Sequence, residues 1–186
     1  MAERILHELP LAAPWQPVLA RELARTAPQA SATPAERESP ARDLRAEVEE
    51  RARELGLQRL RWPEPFPFDS ELAMRVACYA QQIGRAVPFA QAAFRQAFAG
   101  GRSLQEPDNV LIAAAACEMH PRSVLAAARS RSAAAQLARA TAEAAEVGVR
   151  EVPAIVLRAG GAQEQALVLQ GASALEQALA LIGSIA

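Results

Sequence analysis

The chain has 186 residues, a net charge of −1 and 51% apolar residues, of which many are alanine, with aromatics at only 4%. That length fits one domain or one domain carrying an insertion, and its core must be built from small side chains with a few large anchors. Interspersed acids and bases exclude a dedicated nucleic-acid surface. No apolar run approaches the roughly 20 residues a membrane span needs, so a cytoplasmic protein without a membrane partner is expected.

Residues 2–9 carry Ile5 and Leu9 four apart and predict the end of a helix, stopped by Pro10 and Pro14. The run Ala13–Leu19, with Trp15 between prolines, predicts a short edge strand. Residues 25–38 lack apolar periodicity and predict a mobile loop. Ser39-Pro40 supplies an N-cap and a proline at the first helical position, opening a charged helix that ends at Gly56. Three prolines between Trp62 and Phe68 forbid a helix there, leaving an extended linker that buries its aromatic rings.

Four further helical patterns follow. Asp69 or Ser70 caps the first, with Leu72, Val76, Tyr79 and Ile83 as its apolar stripe. The second carries Val87, Ala90, Phe94 and Phe98 and ends at Gly100-Gly101. A third spans Pro107 to Glu118, and a fourth runs from Pro121 to Gly148 with a break near Ser130. The period then changes. Residues 153–157 and 166–169 are apolar and partly β-branched, with Gly160-Gly161 between them, which predicts a hairpin. Ser173 and Glu176 form a capping-box pattern before a last helix that packs through Leu175, Leu179 and Ile182.

Several residues with chemical capacity have plainer roles. Cys78 and Cys117 lie far apart in helical patterns without CxxC spacing and are expected to be buried small hydrophobes. His120, directly before Pro121, is expected near a helix N-cap. Glu49–Glu54 is a solvated charged face. No phosphate loop, metal-ligand cluster or Ser/His/Asp set is present, so neither a metal nor a catalytic residue is assigned.

The run Gly148-Val149-Arg150-Glu151-Val152-Pro153-Ala154-Ile155-Val156 resembles the Gly-Val-x-Gly-Val-Pro-Thr-φ-Val stretch of DsbA-like thioredoxin-fold proteins, a group that includes 2-hydroxychromene-2-carboxylate isomerases and kappa-class glutathione transferases. Trp15-Gln16-Pro17-Val18 is similar to their second-strand element. Arg53–Leu57, Pro65–Pro67 and Glu71–Arg75 follow their Leu-Gly…Pro…Ala-x-Arg order, and Gln170–Leu175 stands at their closing Gly-x-Asp-x-Leu. The resemblance implies an α/β thioredoxin-like fold with a helical insertion. Residues 1–24 and 149–186 would form the core and residues 39–148 the insertion. It also implies a cis peptide at Val152-Pro153, with the backbone of Val152 facing a thiol substrate, a peptide or glutathione.

The departures from that pattern shape the functional expectation. The family places its nucleophilic Cys or Ser at the N-terminus of the first helix, where helix N–H groups lower a thiol pKa. No Cys or Ser precedes Trp15, and the first strand of the family is missing from the sequence. An upstream start codon is the expected explanation; a degenerate paralogue, or a shift of Trp15–Val18 into the vacancy, are the others. Glu151 stands for the usual Gly, Ala154 for Thr, and Ala172-Ser173-Ala174 lacks the usual Asp, so a normal glutathione site is not expected and no cofactor is assigned.

Arg150, Glu151, Val152, Pro153 and Trp15 are the expected substrate-groove residues. The leading functional expectation is a DsbA-family thiol-disulfide oxidoreductase-like protein that is inactive as this chain. A non-catalytic binding module, a relative of the glutathione-dependent isomerases and transferases, and a purely helical partner-binding protein are the alternatives. A small thiol or a peptide is the expected ligand, and a homo-oligomer is compatible with the sequence.

Overall fold

The computed structural model describes residues 13–26, 45–158 and 166–185. The predicted helix at 2–9, the loop beyond residue 26, the Ser39-Pro40 helix start and the Gly160-Gly161 turn lie outside those residues. In chain order the elements are α1 (Ala20–Thr26), α2 (45–54), α3 (Glu71–Gln82), α4 (Ala86–Phe94) running into a π-helical turn (Arg95–Ala99), α5 (Pro107–Ala115), α6 (Pro121–Arg129) and α7 (Arg131–Glu146). Strands β1 (Ala154–Leu157) and β2 (Leu167–Gln170) then precede α8 (Ala174–Ile185). This is a helix-dominated α/β chain with a small antiparallel sheet. No helix among the described residues is long and apolar enough to cross a membrane.

Helix α2 stops at Gly56, whose φ of +64° lets the N–H of Leu57 reach back to the carbonyl of Ala52. The extended linker follows. Trp62 meets Phe66 edge-on at 4.9 Å and Phe98 at 5.9 Å, while the Arg45 guanidinium lies over Trp62 and the indole N–H donates to Glu49. The aromatic rings of the linker are half-buried: Trp62 and Phe66 fasten α2 to the end of the π-turn, and Phe68 packs against the main core.

That core lies among α3, α4, α5 and α6, with Val76, Phe89, Val110 and Val124 at its centre. Its detail corrects two predicted stripes. On α3 the buried face is Ala73, Val76, Cys78 and Ala80, while Ile83 is exposed and Leu72 and Tyr79 are only partly covered. The reason is that α3 packs against α4, α6 and α7 at once. Small side chains occupy the close crossings, and larger ones sit at the margins. On α4 the buried residues are Phe89 and Ala93, continued by Ala97 in the π-turn, and Phe94 points outward. A helix apolar on several sides offers more than one stripe, and the alanine-bearing one faces the core.

The predicted break at Ser130 is a sharp corner. Ser130 ends α6 and its hydroxyl accepts from the N–H groups of Ser132 and Ala133, capping α7. The cap of α3 comes from Asp69, whose Oδ1 accepts from the Glu71 N–H at 2.9 Å. Residues 13–19 do not form the predicted edge strand. They run extended with no strand partner among the described residues, and α1 begins at Ala20. The segment is held by side chains. Gln81 donates to the carbonyl of Trp15 at 2.8 Å, and the Leu19 N–H donates to the buried Thr141 hydroxyl at 3.1 Å. Leu19 then packs with Cys78 and Leu137.

Candidate functional site

The region around Val152 is assembled by the end of α7 and the strand–helix corner after β2. Helix α7 terminates at Gly148, φ +99°, and the Val149 N–H returns to the carbonyl of Ala144. Val149 is buried, which fixes the exit of the chain. The Arg150 guanidinium donates to the carbonyls of Ala145 and Val149, where a cation complements the helix C-terminus. The next two backbone N–H groups, of Arg150 and Glu151, both donate to Oε1 of Gln170, at 2.8 and 3.2 Å. One side-chain oxygen at the end of β2 thus holds the approach to Val152.

Val152-Pro153 is a cis peptide. The carbonyl of Pro153 accepts from the Gly171 N–H at 2.9 Å, and β1 begins at Ala154, paired with Gln170. Residues 150–153 are therefore pinned to the corner at 170–171 from both sides. Between those pins, neither the N–H nor the carbonyl of Val152 is hydrogen-bonded among the described residues. The residue is 46% exposed. The structure thus presents one residue with both backbone polar groups unpaired among the described residues, at the head of a strand and beside a cluster in which Leu169, Ala174 and Ala178 meet Ile155 and Leu157.

Arg150, Glu151, Val152 and Pro153 form one continuous wall. Trp15 lies on the extended segment that docks through Gln81 on α3 and Thr141 on α7. Gln170 is the residue that sequence reasoning did not single out. The one available signal was a polar side chain closing an otherwise apolar strand.

Neither cysteine faces this wall as a reactive thiol. Cys78 is fully buried on α3, and burial pushes its thiol pKa up. Burial also raises that of Cys117, against a smaller opposing pull from Arg85, and its thiol leans on the carbonyls of Ala113 and Ala114. A thiol that cannot ionise is a poor nucleophile. His120 is an N-cap: its Nδ1 accepts from the Arg122 N–H. Among the described residues no three His, Cys, Asp or Glu side chains converge on a point that could hold a metal ion.

A proline-headed hairpin closed by a helix, with a helical bundle inserted ahead of it, defines a thioredoxin-like fold of the DsbA-like class. The family model described as DSBA-like thioredoxin domain matches residues 19–183, and the chain belongs to that family. Among solved structures it is similar to that of selenomethionine 2-hydroxychromene-2-carboxylate isomerase (HCCA isomerase). The TM-score is 0.79 at 13% identity, over 98% of this chain and 85% of that one. At such identity the likeness is one of fold. No curated protein matches the chain in sequence.

Proposed function

We propose that this chain is a thiol-ligand-binding member of the DsbA-like family, related to its thiol-disulfide oxidoreductases, and that these 186 residues carry no redox turnover of their own. The observation that supports it best is that both the N–H and the carbonyl of Val152 lack a hydrogen-bond partner among the described residues. An unpaired N–H and carbonyl at the head of a strand can pair with an extended peptide backbone, the common way of adding a chain to a sheet edge. The redox half of the reading rests on thiolate chemistry. Exchange requires an accessible thiolate. Cys78 and Cys117 are buried with raised pKa values, and no Cys or Ser precedes Trp15.

Two measurements on the 186-residue protein test this. A short peptide centred on S-methylcysteine should shift the resonances of residues 150–153, by the amides of residues 150–152 and the proline Cα and Cβ of residue 153, and insulin reduction should stay at the rate without protein. Insulin reduction above that background, or a peptide that leaves residues 150–153 unmoved, overturns the reading. A second reading, a relative of the glutathione-dependent isomerases, is favoured by the fold likeness to the isomerase. It requires glutathione itself to bind, which calorimetry decides.

A further inference from the structure

Glu151 stands beside the Val152 wall with no cation of its own. Its Oε1 lies 2.7 Å from where a Cβ on Gly171 would sit. The N–H of that same Gly171 is bonded to the carbonyl of Pro153, so the carboxylate and Pro153 share one neighbour. Gly171 has φ +82°, and glycine there both makes the turn and leaves the space that the carboxylate uses. The adjacent cation is engaged elsewhere, since Arg150 donates to the end of α7. Glu151 is exposed, and among the described residues its carboxylate has no ion-pair partner. One uncompensated negative charge therefore stands next to Val152, whose backbone N–H and carbonyl both lack a partner among the described residues.

We infer that Glu151 is the charge-selecting residue of this groove, favouring an extended peptide with Lys or Arg beside its cysteine and disfavouring anionic thiols. The inference rests on the groove reading above. A fixed carboxylate attracts a ligand cation and repels a ligand carboxylate over the few ångströms between neighbouring side chains. Partial solvent exposure limits the effect, and salt screens it. Glutathione, which carries two carboxylates, is a poor match for a wall with this charge beside it.

The test uses the isotope-labelled 186-residue protein and capped pentapeptides centred on S-methylcysteine, flanked by Lys, Gln or Glu. Titration at low salt should give affinities in the order Lys, Gln, Glu, with about fivefold between the extremes. Glu151→Gln should reduce that spread to less than about twofold, as removing one exposed charge predicts. High salt should do the same in the unaltered protein. Equal affinities for all three peptides, or a spread that survives Glu151→Gln, overturn the charge selection while leaving the groove in place. Shifts absent from residues 150–153 with every peptide overturn the groove, and the charge selection with it.

Discussion

The bundle and the hairpin–helix unit solve the problem of a small-residue core in different ways. In α3–α6 alanines let helices approach closely around Val76, Phe89, Val110 and Val124, and every helix has several neighbours. The hairpin has two strands and one covering helix, and its cluster is only Leu169, Ala174 and Ala178 with Ile155 and Leu157 at its edge. All four residues of β1 are only half-buried. A two-stranded hairpin is marginal without a packed face. The unit that carries the candidate groove is therefore the less secured one, and side chains such as Gln170 hold it where a wider sheet would otherwise do so. A strand edge left unpaired among the described residues limits how much apolar surface the hairpin can bury.

Breaking each core separately gives the sharpest contrast. Phe89→Ala should cost about 3–5 kcal/mol, because a fully buried ring leaves a cavity that rigid helices fill poorly. Urea unfolding followed by far-UV circular dichroism should show one cooperative transition at a lower midpoint. Leu169→Ala on β2 should cost about 2–3 kcal/mol, the lower part of the usual range, since a half-open unit relaxes around the gap. Amide exchange should quicken at residues 154–157 and 167–170 while α3–α6 keep their protection. Equal acceleration in both regions would show that the two fold as one.

Smaller effects come from the links that fasten other segments to the bundle. Thr141→Val removes the acceptor of the buried Leu19 N–H, an expected loss of about 1–3 kcal/mol, read from the midpoint and from the exchange rate of that amide. The least effect is expected from the ion network at the start of α3. The Glu71 N–H and the Arg21 guanidinium hold the Asp69 carboxyl below its ordinary range, and Arg75, then Arg21, do so for Glu71. Folded pKa values below the unfolded ones stabilise the protein above the ordinary carboxylate range. That contribution is lost as pH falls through the folded values. Asp69 and Arg21 are each nearly half exposed, so Arg21→Ala should cost less than about 1 kcal/mol at neutral pH and flatten the acid limb of the stability profile.

Elements with strong punctuation were legible from sequence. Gly56 ending α2, the corner at Ser130, the hairpin around residues 154–170 and Pro153 at its head all stand where Gly, Pro and Ser patterns put them. Which face of α3 and α4 is buried was not legible, because alanine counts weakly in any stripe yet fits best where helices cross. Residues 13–19 misled for a related reason. Proline spacing specifies an extended backbone, but whether that backbone joins a sheet depends on a neighbour the local sequence does not describe. At the site, the wall residues came from local pattern, whereas Gln170 acts across 19 residues, and its polarity at the end of an apolar strand does not say which donors it meets.

Gln170 has a further use. Its oxygen must face two backbone donors, which fixes which end of the amide is which and leaves its NH2 directed away from both. Anything that displaces residues 150–151 changes the load on that oxygen. The side-chain amide of Gln170 is thus a native spectroscopic reporter at the rim, able to register occupancy without a dye or an engineered label.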